Sequence, residues 1–242
     1  MIIGICGGSG SGKTTLLNRL FREFGHLNPS VFSMDNYYLN IEKQLIDENG
    51  IYNFDLPTAL DKEKLTSDLQ RLVSGEEIIV KEYHFNSPPD KNVLVTIQPS
   101  DLIIVEGLFL FHYPEVREVL DFSIFIKVDS AVQLDRRLYR DQETRGYSRE
   151  QILYQWDNHV KPCYENYLLP YEEEASFQFR NDAHADEDLH HWPSRFPRRL
   201  VHLKYEIQIL EQILPLRFGG RCYRDFCMVL PRNSFYKLPT FS

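Results

Sequence analysis

The segment Gly7-Gly8-Ser9-Gly10-Ser11-Gly12-Lys13-Thr14 fits the pattern G-x-x-x-x-G-K-[ST] at every fixed position. Its flanks are those the pattern needs. Residues 1–6 are an apolar run that reads as a buried strand, and Thr15-Leu16-Leu17-Asn18-Arg19-Leu20-Phe21 opens an amphipathic helix. Glycines let the backbone wrap a polyphosphate, so that its N–H groups and the helix N-terminus face negative charge. Lys13 is placed to bridge the outer phosphates, and the Thr14 hydroxyl to bind Mg²⁺. A merely flexible Gly/Ser turn would not need Lys-Thr in register between a strand and a helix. The chain is expected to bind a nucleoside triphosphate.

A length of 242 residues allows one ordinary domain with an elaboration, or two small ones. The net charge of −8 argues against a general nucleic-acid or membrane-surface binder, so a phosphate site must gather its cations locally. The four cysteines, Cys6, Cys163, Cys222 and Cys227, are dispersed without C-x-x-C spacing, as expected of a chain kept in a reducing cytoplasm. The apolar start is too short for a signal peptide and runs straight into the glycine loop, and no stretch reaches membrane-spanning length. The oligomeric state, homo-oligomer included, is left open.

Strands alternate with helices along the chain, the pattern of an α/β fold whose parallel sheet carries helices on both faces. Residues 30–34 read as a second strand ending at Asp35. Residues 58–74 carry Leu60, Leu65, Leu69 and Leu72 at helical spacing, and Gly75 stops them. Residues 78–80 and 93–95 are short β-type runs, expected to form a small insert over 78–98. Residues 102–105 form a buried strand ending at Glu106-Gly107, and 122–128 another. Ser130…Gln133 and Ser148…Gln151 match the capping-box pattern at two helix starts. The second helix is expected to bend or end near Pro162, and 175–179 to be the last strand. The main domain is read as 1–191. Residues 192–242 hold 9 basic and 3 acidic side chains against 18 and 32 before them, a shift that marks a basic tail in which 203–214 reads as a helix.

Asp35 follows a strand at the edge where open parallel sheets collect their ligands, placed to accept a hydroxyl proton or to touch a metal. A turn cap is the plainer alternative. Glu106 ends an apolar strand before a glycine, where a phosphate-loop protein carries the acid that orients Mg²⁺. Residues 136–147 crowd Arg136, Arg137, Arg140 and Arg145 together, as a lid that neutralises a transferring phosphoryl group requires. The alternative is a helix laced by Asp135, Asp141 and Glu143. His184, His190 and His191 lie among acids without metal-ligand spacing, and the other histidines are scattered. No Asn-Lys-x-Asp guanine-reading motif is present, which leaves a small-molecule kinase as the expected class.

Over roughly residues 1–190 the chain resembles the uridine–cytidine kinases of the phosphoribulokinase/uridine kinase group. The matching elements are residues 7–15, Ser33-Met34-Asp35-Asn36-Tyr37-Tyr38, Tyr52-Asn53-Phe54-Asp55-Leu56-Pro57 and Tyr83-His84-Phe85. Val105-Glu106-Gly107, residues 136–146, Gln151-Ile152-Leu153, Val160-Lys161-Pro162 and Leu168-Leu169-Pro170 complete them in family order. The resemblance implies ATP-dependent phosphorylation of uridine or cytidine at the ribose 5′-hydroxyl, with Mg²⁺. It implies Asp35 as general base, and Asp55, Arg137 and Gln155 on the ribose 2′- and 3′-hydroxyls. Tyr83 and Phe85 would line the base pocket; Gly7, Gly8, Ser9, Gly10, Ser11, Gly12, Lys13, Thr14, Thr15, Arg140 and Arg145 would hold ATP. A carboxylate opposed by an Arg donor suits a ribose diol. The chain departs from the family at Pro88, where many members carry a histidine, and at Tyr147, where they carry an arginine. The last fifty residues are foreign to it, whether as an extension or through a shifted reading frame near Trp192. A kinase for another hydroxylated metabolite and a nucleotide-binding protein without turnover remain alternatives.

Overall fold

The computed structural model describes residues 1–83 and 93–181. Its strands in chain order are β1 (Ile2–Gly7), β2 (Ser30–Ser33), β3 (Leu45–Ile46), β4 (Tyr52–Asn53), β5 (Ile78–Lys81), β6 (Leu94–Ile97), β7 (Ile103–Gly107), β8 (Phe122–Lys127) and β9 (Phe177–Arg180). Five of them form one sheet in the order β2-β7-β1-β8-β9, every neighbouring pair parallel. All six residues of β1 and all five of β7 are buried, as strands covered on both faces must be. The chain steps from β1 out to β2, returns to β7, then crosses β1 to reach β8. That reversal opens a crevice at the carboxyl edge. Register brings the strand ends level there: Ser33 and Ile5 both stand opposite Glu106, and Gly7 stands opposite Ile126.

Helix α1 (Lys13–Phe24) buries Leu16, Leu20 and Phe24, and α2 (Lys62–Val73) buries Leu65, Leu69 and Leu72. The apolar spacing places the start of α2 near residue 58, but the helix starts four residues later. Asp61 caps it by accepting the Lys64 N–H, while Pro57–Ala59 form a 3-10 turn and Leu60 bridges to Tyr38. The two-stranded β5–β6 sheet stands apart from the main one, with Ile78 and Val80 turned inward. A second hairpin, β3–β4, escaped the sequence reading because two-residue strands leave no alternation to detect.

Helix α3 (Pro114–Arg117) is a single turn, and α4 (Ser130–Arg145) begins at Ser130 as expected, though not through the expected box. Asp129 is its N-cap without a side-chain bond, and the Gln133 amide donates instead to the Val128 carbonyl at 2.9 Å. The box at Ser148 does form, with both reciprocal bonds, at the head of α5 (Arg149–Gln155). Pro162 neither ends nor breaks the helical path beyond α5. The backbone widens into a π turn over Trp156–Val160, passes through α6 (Lys161–Cys163) and widens again over Tyr164–Leu168. Pro162 lacks the N–H that an i→i−4 ladder would call on, and the wider bonding on either side absorbs the gap. No helix among the described residues is long and apolar enough to cross a membrane. The readings of Phe85, Pro88, His184, His190 and His191, the helix over 203–214 and the basic tail lie outside the described residues.

Candidate active site at the carboxyl edge of the sheet

Between β1 and α1 the loop turns through left-handed backbone at Gly10 (φ 78°) and Gly12 (φ 94°). At Gly12 a Cβ would lie 2.2 Å from Asn181 Nδ2, so both conformation and space demand glycine. Asn181 lies just past β9 and braces the loop, its Nδ2 donating to the Ser11 carbonyl at 2.7 Å. Arg136 donates to the Asn181 carbonyl at 2.9 Å and to the Gly10 carbonyl at 3.4 Å. Lys13 Nζ donates to the Gly7 and Gly8 carbonyls at 2.9 and 3.3 Å. The N-terminus of α1 has no side-chain cap, which leaves its first N–H groups facing the loop's concavity, with Thr14 and Thr15 exposed on the first turn.

Two carboxylates share the next strand ends. Asp35 lies in the 3-10 turn Met34–Tyr37 directly after β2, and its N–H donates to Ser33 Oγ. The Ser33 hydroxyl in turn donates to the Glu106 carboxylate, which its register places alongside. Both acids are disfavoured as anions. The Asp35 carboxyl is raised first by burial and then by Asp55, against the pull of Lys13, Arg145 and Arg140. Glu106 is pushed up to about 7 by burial and by the neighbouring Asp35 charge, against Lys13 and Ser33. Such a pair takes up a proton more readily than isolated carboxylates do. Gly107 must be glycine because a Cβ there would lie 2.5 Å from Met34 Sδ, and that contact sets the spacing of β7 from the Asp35 turn.

Asp141, fully buried on α4, gathers three of the four arginines. Arg140 Nε lies 2.7 Å from its carboxylate, Arg137 Nε 3.3 Å and Arg145 Nε 3.4 Å. The salt bridges of the helix and the arginine cluster beside the glycine loop are therefore one arrangement. Arg137 reaches Ser9 Oγ with Nη1 at 3.0 Å and Gln155 Oε1 with Nη2 at 3.1 Å, and Arg140 reaches Ser9 Oγ at 3.4 Å. Residues 136–147 are thus the end of α4 and its left-handed Gly146 cap.

Asp55 and the aromatic Tyr83 lie on loops around this edge, while Arg137 and Gln155 come from α4 and α5. Asp55 comes just after β4, its N–H held by Asn53 Oδ1 at 2.9 Å. The Tyr83 N–H donates to Asn36 Oδ1 at 2.9 Å, and its ring centroid stands 5.1 Å from that of Tyr38, which meets Phe54 edge-on at 6.1 Å. Tyr147 is half-buried, and the Tyr83 hydroxyl is raised first by burial and then by Asp35, against Arg145. A cavity of about 360 Å³ opens beside the loop, lined among others by Gly8, Ser9, Asp55, Leu108, Trp156 and Cys163. Sequence reasoning missed Ser33, Asn36 and Asn181. Each acts through a partner far along the chain, and only the strand order brings the two together.

Among the described residues no group of three or more His, Cys, Asp or Glu forms a self-sufficient metal site. Mg²⁺ on phosphate loops needs none, since one or two protein ligands and the phosphates complete its shell. The crowded Asp35–Glu106 pair fits a divalent cation chemically, because a positive charge there relieves the repulsion that raises both.

A parallel sheet in this order, with the glycine loop leaving its central strand, defines a P-loop α/β fold of the kinase type. Solved structures of that fold include a possible uridine kinase from Bacillus stearothermophilus (TM-score 0.53, 23% identity, 74% of this chain and 88% of that one). Phosphoribulokinase from Rhodobacter spheroides superposes at TM-score 0.55, with 15% identity over 74% of this chain and 69% of that one. The chain belongs to the Phosphoribulokinase / Uridine kinase family, whose model matches residues 2–186. It is 34% identical to a uridine kinase of Staphylococcus haemolyticus over 169 residues, 70% of this chain and 82% of that protein. With uridine-cytidine kinase B of Dictyostelium discoideum it shares 34% over 174 residues, 72% of each chain. With uridine kinase-like protein 3 of Arabidopsis thaliana it shares 34% over 175 residues, 70% of this chain but 36% of that one. The chain thus spans about a third of the length of several relatives it matches.

Proposed function

We propose that this chain transfers the γ-phosphoryl group of ATP to the 5′-hydroxyl of a ribonucleoside, uridine or cytidine, giving the nucleoside monophosphate and ADP. The observation that carries the reading is the convergence on Asp35. A carboxylate at the end of β2 lies in the fields of Lys13, Arg140 and Arg145 from the donor side and of Asp55 from the acceptor side. In this reading residues 7–15 bind the triphosphate, Lys13 and Arg140 with Arg145 balance the transferring charge, and Asp35 accepts the proton of the attacking hydroxyl. Asp55, Arg137 and Gln155 hold the ribose diol, and Tyr83 contributes to the base wall. Thr14 and Glu106 would hold Mg²⁺, which when bound draws charge from the phosphates. Among the described residues the buried thiols Cys6 and Cys163 are free, which suits a reducing cytoplasm.

Tyr147 favours a second acceptor as the alternative, since a phenol close to Tyr83 cannot supply the donors of the arginine it replaces. ADP release over a panel of nucleosides and sugar alcohols, with ATP and Mg²⁺ present, decides between the two. Turnover of uridine or cytidine supports the proposal. Turnover of another acceptor alone replaces the substrate, and no turnover leaves a nucleotide-binding protein.

A further inference from the structure

The β3–β4 hairpin closes through Asp47-Glu48-Asn49-Gly50, and the two oxygens of the Asp47 carboxylate have separate duties. Oδ1 accepts the backbone N–H groups of Asn49 and Ile51, each at 2.9 Å, which fixes the turn. Oδ2 accepts the Tyr154 hydroxyl at 2.8 Å and lies 2.7 Å from His159 Nε2. Because an ionised carboxylate only accepts, His159 carries its donor proton on Nε2 in this bond. Asn49 Nδ2 completes the ring by donating to the Tyr154 hydroxyl at 2.7 Å. Partial burial works against the Asp47 charge, but the bonds from Ile51, Tyr154, His159 and Asn49 outweigh it and hold the carboxyl well below its usual range.

His159 is only 2% exposed, although its partner belongs to a surface hairpin. The helix geometry accounts for this. Residues five apart on an α-helix point about 140° away from each other, so Tyr154 and His159 could not share one acceptor there. Tyr154 lies near the end of α5, and the wider π turn Trp156–Val160 that follows narrows this angle enough for both side chains to reach Asp47. A π turn costs regular hydrogen bonding, and here it delivers two donors to one carboxylate.

What the ring joins gives it a use. On one side the hairpin runs through Asn53 directly into Asp55. On the other, Tyr154 precedes Gln155, which receives Arg137. We propose that Asp47, Tyr154 and His159 form a positioning clamp that fixes the Asp55 segment against the Gln155 helix and so sets the spacing with which the two read neighbouring hydroxyls of the acceptor. For its substrate the clamp rests on the nucleoside-kinase reading; for its geometry it does not.

The test uses the full chain with two substitutions at one position. His159→Phe keeps the buried volume and loses the bond, whereas His159→Gln keeps an N–H at similar reach. Backbone hydrogen–deuterium exchange over residues 45–55 is expected to quicken at least tenfold in His159→Phe, with the β1 and β7 amides unchanged, and to return in His159→Gln. The nucleoside KM is expected to rise about tenfold with the ATP KM within twofold, and the preference for ribo- over 2′-deoxynucleosides to shrink severalfold. Tyr154→Phe, which removes only a hydroxyl, gives the same pattern should His159→Phe not fold. Unchanged hairpin exchange, an unchanged ribo-to-deoxy ratio, or equal losses in both KM values would each overturn the clamp. A wild-type chain that turns over no nucleoside would overturn the substrate reading alone, and the hairpin exchange would still decide the clamp.

Discussion

Arg137 and Gln155 meet at 3.1 Å, guanidinium Nη2 to amide Oε1, while the same guanidinium holds Ser9 of the phosphate loop at 3.0 Å. One buried side chain therefore links the proposed acceptor site to the donor loop. The fork geometry makes this possible, because a lysine ammonium is a single point that cannot serve both partners in fixed directions. Arg137→Lys keeps the charge and is expected to lower kcat/KM for the nucleoside by about 10- to 100-fold, the loss of one or two charge-assisted bonds. Steady-state kinetics with both substrates varied is the check, and a variant within twofold of wild type would remove Arg137 from the site.

Asp141 is the anion on which the cluster depends. It is wholly buried and faces Arg137, Arg140 and Arg145, so removing it leaves three cations repelling one another. Breaking a buried pair from one side typically costs about 3–5 kcal/mol, although the half-exposed Arg140 and Arg145 will recover part of this from water. Asp141→Ala is expected to lose about 2–4 kcal/mol in urea unfolding and to weaken ATP binding. A loss below about 1 kcal/mol would show that solvent, not Asp141, balances the arginines.

The Asp35–Glu106 pair predicts an unusual pH dependence. The Glu106 carboxyl lies near 4.5 in the unfolded chain and is pushed up to about 7 in the fold. The folded state thus holds more protons in that window, so stability is full below about pH 4.5 and falls as pH rises through 7. Asp35 is raised too and acts in the same sense. Each unit of displacement corresponds to roughly 1.4 kcal/mol, which puts the effect at up to about 3 kcal/mol. Urea unfolding of the nucleotide-free chain at pH 5 and pH 7.5 should show that fall, and Glu106→Gln should flatten it. Identical pH slopes for the two proteins would mean that Glu106 is ionised across the range.

The fold was legible where the signal is local. The glycine loop, the strands around Ile3, Ile104 and Phe125, and the helix start at Ser148 each declare themselves in a few consecutive residues. The Ser130 box failed because a matching Ser and Gln do not decide which groups the Gln prefers, and the Val128 carbonyl took the Gln133 amide. The elements of the candidate site were legible by motif and order. Their couplings were not. Ser33 to Glu106, Asn181 to Ser11 and Asp47 to His159 join residues 73, 170 and 112 positions apart, and only the folded topology makes them neighbours. The π turn that seats His159 has no sequence signature beyond a proline three residues later.

Asp35 as the catalytic base is the prediction on which the proposed chemistry turns. A ribose hydroxyl is a poor nucleophile at neutral pH, and its proton must be accepted as the bond to phosphorus forms. Asp35 stands at the strand end beside the phosphate loop, its backbone pinned by Ser33, and its carboxyl is raised above its usual range by burial and Asp55. A base so raised is more willing to take a proton than an exposed aspartate, while Lys13, Arg145 and Arg140 pull its carboxyl the other way. Asp35→Asn keeps the shape and removes the acceptor. It is expected to slow the chemical step by about 10²- to 10⁴-fold, with KM for both substrates within a few-fold, toward the lower end if bond cleavage runs ahead of proton transfer. The acidic limb of wild-type kcat/KM should lie above the ordinary aspartate range and vanish in the variant. Single-turnover measurement of phosphoryl transfer, with ATP saturating, reads the step directly. A slowing of less than about tenfold, or an acidic limb that survives the substitution, would make Asp35 a turn residue and move the search for the base to Glu106 or Asp55.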